Sequence, residues 1–198
     1  MDTVTKQYIE TVKVSDIPWH RLTTTYGRAT DFPAELDVLW NMESIESVDA
    51  AGEALELNIE HQSTLWHATP FAMIFLFRIF KKAQEKKAHN EVAQYLVEQL
   101  VELFTVIAEC IRDGLVLEHD DPLPCFDDML DEEYLWSEEY DEDEDVLRYE
   151  KDDVFPDDLF FSFYYYSQQV LLLAIPLLDT SNEGEAKLLG LISANRSV

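Results

Sequence analysis

The side chains of this chain that could do acid–base or metal chemistry are scattered. His20, His61, His67, His89 and His119 show no ligand spacing of the kind a zinc site needs, such as His-x-x-x-His on one helix. His61 and His67 flank a turn and could meet in space. Cys110 falls in an apolar helical pattern, where a cysteine acts as a small buried hydrophobe. Cys125 carries no local signature of a thiol enzyme, and both are read as reduced thiols. The acidic run 141–145 looks superficially like a calcium loop but lacks the glycine and the closing glutamate that an EF-hand requires. No glycine-rich phosphate loop is present. Neither a catalytic centre nor a cofactor is expected.

The chemistry that the spacing does support is electrostatic binding. Residues 113–158 hold about half of the chain's 41 acidic residues, against two basic ones, Arg148 and Lys151. Like charges at helical neighbour spacing repel by roughly 0.2–0.5 kcal/mol per pair, so such a block is costly to hold compact. A purely solvating tail would contain few aromatics. Here Tyr134, Trp136 and Tyr140 alternate with Asp127, Asp128, Glu132, Glu133, Glu138, Glu139 and Asp141. These ten residues are the candidate partner-binding set. The aromatics would anchor and the carboxylates would set the rate of approach. The alternative is a solvated insertion with no partner.

Composition narrows the partner. The formal charge is −27, from 14 basic and 41 acidic residues. Nucleic acid and anionic membranes are poor partners for that charge, because phosphate binding depends on Lys and Arg. An enzyme acting on nucleic acid would need a basic groove, which Lys81, Lys82, Lys86 and Lys87 do not supply. A basic protein fits. Residues 159–178 are long enough to span a bilayer, but Gln168, Gln169, three adjacent tyrosines and Pro176 make a buried core helix the better reading. The start of the chain has no apolar signal-peptide core, so a cytoplasmic protein is expected.

The elements that must position these residues are helical. Residues 8–14 alternate weakly and read as a short strand. Asp31 as a capping acceptor and Pro33 in the first turn open one helix, and a second runs from about Ser47. Thr69 and Pro70 open a third by the same logic. A fourth spans about residues 90–112, with Gly114 as its C-terminal cap. A short helix is expected around residues 127–140, and a fifth long one from Asp157 or Asp158 to Leu178. Asn182 with Glu185 forms a capping-box pattern for the last. The expectation is a single all-α domain over residues 1–198 of stacked antiparallel helical hairpins, with 113–158 as an acidic insertion.

One stretch is more specific. Trp19, His20, Arg21 and Leu22 lead into Tyr26, Gly27, Arg28, Ala29, Thr30, Asp31, Phe32 and Pro33. Then come His61, Gln62, Ser63 and Thr64, and Ala68, Thr69, Pro70, Phe71 and Ala72. Over about residues 18–80 this order resembles a bacterial group of HEAT-repeat-like proteins. The resemblance implies a short α-solenoid. Many members of such groups look like immunity proteins, encoded beside secreted polymorphic toxins that they neutralise. It therefore implies a basic cognate toxin as partner, a nuclease best fitting the charge. A general helical adaptor for an endogenous basic protein is the alternative.

Overall fold

The computed structural model describes residues 1–149 and 156–196, so Lys151 lies outside the described residues. The described chain is mostly helical, with eight α-helices and four two-residue strands. Five helices begin where a short polar side chain accepts a first-turn N–H, the group a helix leaves unpaired, α6 (Glu142–Tyr149) through Asp141 among them. For α1 (Thr3–Thr11) the acceptor is Asp2, and for α3 (Ile45–Ile59) it is Ser44. Asn90 serves α5 (Glu91–Gly114) and Asn182 serves α8 (Glu183–Asn195), each at 3.0 Å.

Two starts differ from expectation. Asp31 precedes α2 (Phe32–Asn41) but makes no cap bond, because its backbone is already helical at φ −87°, ψ −9°. Pro33 alone sets that first turn. Thr69 lies inside α4 (Ala68–Lys86) rather than capping it. Its hydroxyl accepts from the Trp66 N–H at 2.9 Å and donates to the Ile59 carbonyl at 2.6 Å, tying α4 to the end of α3.

Three other readings are corrected. Residues 8–14 do not form a strand: Thr5 and Ile9, one helical turn apart, bury one face of α1. Gly114 is the last residue of α5, not its cap, and a Cβ there would sit 2.7 Å from the Tyr164 ring. Its smallness serves packing. The short helix expected over 127–140 is instead a 3-10 turn, Phe126–Leu130, with α6 (Glu142–Tyr149) beyond it. The last long helix before Pro176, α7 (Asp157–Ala174), gives way to a 3-10 turn at Ile175–Leu177, as a missing proline N–H requires.

Two small hairpins occupy the turns singled out in the sequence. Strand β1 (Thr23–Thr24) pairs with β2 (Gly27–Arg28), and β3 (Glu60–His61) with β4 (Thr64–Leu65), both antiparallel. Gly27 takes φ +128°, which needs glycine. Gln62 and Ser63 turn the second hairpin at φ 52° and 65°, unusual for residues with a Cβ.

The helices pack in two rows. Helix α4 packs against α2 and α7, α5 packs against α3 and α8, and α4 and α5 face each other between the rows. Their shared apolar surface is one continuous core. Helix α4 is buried nearly all round through Phe71–Leu76, as befits a central helix. Among the described residues no helix is long and apolar enough to cross a membrane. Two polar side chains of α7 bond within the fold: Gln168 donates through Nε2 to the Ile192 carbonyl and Tyr166 to the Leu123 carbonyl at 2.7 Å.

Candidate functional site

The acidic segment after α5 is held against the helices by three successive fastenings. First, the Leu123 N–H donates to Ser162 of α7 at 2.8 Å, and Phe126 inserts its ring among Tyr8, Phe71 and Tyr166. Second, buried His67 donates from Nε2 to the Met129 carbonyl at 2.7 Å. Its ring stacks on Phe163 at 5.2 Å. Burial drives the His67 pKa down to about 4, the hydrogen bond opposing it, so the imidazole is neutral near pH 7.

The third fastening is a pair of arginines from the stretch around the first hairpin. Arg21 grips Glu132 through both terminal nitrogens, at 2.9 and 2.5 Å, and its carbonyl accepts the Trp136 N–H at 3.1 Å. Arg28 is more deeply placed. Its Nε and Nη2 bond the two carboxylate oxygens of Asp145 at 2.8 and 2.7 Å. Nη1 donates to the carbonyls of His20 and Ser137, at 2.9 and 2.7 Å. The guanidinium lies 5.3 Å from the ring centres of both Trp136 and Tyr140. Arginine suits this position because its planar fork can meet a carboxylate, two carbonyls and two ring faces at once.

These contacts sort the sequence-selected residues. Trp136 is 2% exposed and packs beneath Arg28, so it is not available as a docking anchor. Tyr134 is half-buried against the core. Asp128 accepts the Cys125 N–H at 2.8 Å and so closes the 3-10 turn. Glu132 is bound by Arg21, and Glu138 lies 3.0 Å from His20 Nε2 and 3.7 Å from Arg21. Asp141 is exposed and accepts the Glu144 N–H at 3.1 Å, at the start of α6. Asp127, Glu133 and Glu139 are exposed. Tyr140 is 67% exposed, one ring face toward Arg28 and the rest open. Sequence reasoning missed His20, Arg21, Arg28 and Asp145 as the residues that position the segment. The available signal was that three of the four sit in the stretch that carries the resemblance.

Other groups with chemical potential are occupied structurally. His61 faces Tyr26, with ring centres 5.9 Å apart, whereas His67 is sealed under Met129. Cys125, Asp127 and Asp128 place one ligand atom each within 4.8 Å of one another. However, Asp128 is engaged in the turn, and its charge leads in raising the Cys125 pKa, which disfavours the thiolate. The buried Cys110 thiol is pushed up to about 12, first by burial. A cavity of about 460 Å³ between α5 and the start of α8 contains Glu185, whose carboxylate is taken by Lys87, Gln84 and the Asp179 N–H.

Comparison of the chain with known families, characterised proteins and solved structures gives no match.

Proposed function

We propose that this protein is a cytoplasmic immunity protein that binds and neutralises a basic cognate toxin by covering its active-site cleft. In this reading the two helix rows are a short HEAT-like α-solenoid, and residues 113–158 are an acidic insertion between its second and third hairpins. The protein acts by stoichiometric binding, with no turnover and no cofactor. A nuclease is the favoured target, since a cleft that grips nucleic acid is basic.

The observation that carries the proposal is the buried Arg28–Asp145 pair. It fastens an acidic segment that would otherwise be pushed away by its own charge, leaving Glu139, Tyr140 and Asp141 exposed beside it. A fixed negative surface steers a positive partner and binds without first being ordered. A solvated insertion would need no such fastening.

Co-expression tests the proposal. Cells carrying the secreted toxin encoded beside this gene should survive when this protein is present. Death of those cells at matched expression would sink the proposal and favour an adaptor for an endogenous basic protein.

A further inference from the structure

The first hairpin carries a second exposed aromatic. Tyr26, in the turn between β1 and β2, is 64% exposed. Only Gly27 separates it from Arg28, so their backbones lie within about 7 Å. The ring centre of Tyr140 lies 5.3 Å from the Arg28 guanidinium. The hairpin that carries Tyr26 thus also carries the guanidinium on which Tyr140 rests.

The hairpin is also held firmly. The Thr25 N–H donates to the Asn58 carbonyl at 3.0 Å, and Thr24 reaches the Asn58 side chain at 3.2 Å. Tyr26 in turn rests on His61, beside the second hairpin's left-handed turn at Gln62 and Ser63. Exposed aromatics on a rigid support are what interface hot spots are made of, because little side-chain freedom is lost on binding.

We infer that Tyr26 and Tyr140 form the aromatic centre of the docking face, and that they receive arginine or lysine side chains of a basic partner on their open ring faces. The charge decides the occupant. Glu139 and Asp141 flank Tyr140 in the chain, and an aromatic face amid carboxylates favours a cation over a neutral apolar group. The inference rests on the reading that the acidic face meets a basic protein. It adds the hairpin to that face and assigns the anchoring to rings rather than to carboxylates alone.

The test uses the full chain and a labelled nona-arginine peptide, followed by fluorescence anisotropy over a salt series. Tyr26→Leu and Tyr140→Leu should each weaken binding about fivefold and leave the salt slope unchanged. Tyr26→Phe and Tyr140→Phe, which keep the ring, should bind nearly as the wild type does. Glu139→Gln should flatten the salt slope instead. Both tyrosines are exposed, and Tyr26 lies off the Arg28–Asp145 pair, so at least that variant keeps the fold. Wild-type affinity in both leucine variants, or no peptide binding at low salt, would overturn the inference. Should the ring dependence hold while the co-expressed toxin still kills, the docking face stands and the immunity reading falls.

Discussion

Arg28 and Asp145 lie 117 residues apart and meet in a two-bonded ion pair with side chains only 4% and 8% exposed. Removing two charges from water is costly, and the pair persists because its geometry is good and carbonyls take further guanidinium protons. Its consequence reaches the surface. With Asp145 fixed at the start of α6, the preceding residues 137–141 cannot drift from the first hairpin.

Arg28→Ala should therefore be severe. It leaves the Asp145 carboxylate buried without its partner, at a cost of about 3–5 kcal/mol. Arg28→Lys keeps the charge but not the fork, and should recover only part of the loss. Arg112→Ala, which breaks an exposed pair with Asp113, should stay within about 0.5 kcal/mol of wild type. Urea denaturation compares all three, and equal losses for Arg28→Ala and Arg112→Ala would contradict the placement of the pair.

Gly114 supplies a test of packing with a clear sign. Replacing a helical glycine by alanine normally stabilises by roughly 0.5–1 kcal/mol. At Gly114 the new Cβ meets the Tyr164 ring, which is anchored through its hydroxyl to Leu65 and Ser63. Overpacking of this kind costs about 1–3 kcal/mol, so Gly114→Ala should destabilise. Gly52→Ala in α3 meets nothing within 4 Å and should stabilise. Thermal unfolding midpoints should move in opposite directions.

His67 should make the protein acid-sensitive in a defined window. Its folded pKa, about 4, lies below the ordinary 6.5, so between those values the unfolded chain binds the proton more readily. Its contribution is whole above pH 6.5, is lost progressively as pH falls toward 4, and changes no further below that. The loss amounts to about 3 kcal/mol. His67→Gln, which keeps an N–H for the Met129 carbonyl, should lack this component. Parallel stability profiles for the two proteins from pH 7 to pH 4 would contradict it.

How much of this was legible in the sequence follows from the range of each signal. The cap at Asn182 acts within three residues and marks the start of α8, whereas the start of α5 follows from its apolar spacing from Val92 onward and its Asn90 cap shows only in the structure. Helix α4 announced itself by an apolar run too dense for a surface helix. The hairpins did not. Their turns use Gly27 once and then Gln62 and Ser63, without the Asn-Gly or Asp-Gly pair that marks a two-residue turn. The docking of the acidic segment was hidden for a different reason. An aromatic among carboxylates must pack on something, and nothing local distinguishes a partner from another part of the same chain. Trp136 found Arg28 of its own chain, while Tyr140 was left half open.

The most direct measurement is a titration of the purified toxin's own activity with this protein. Activity should fall linearly to zero at one equivalent, and Arg28→Ala should need a clear excess to reach the same point. Full toxin activity in the presence of a tenfold excess of the wild-type chain would contradict the proposal.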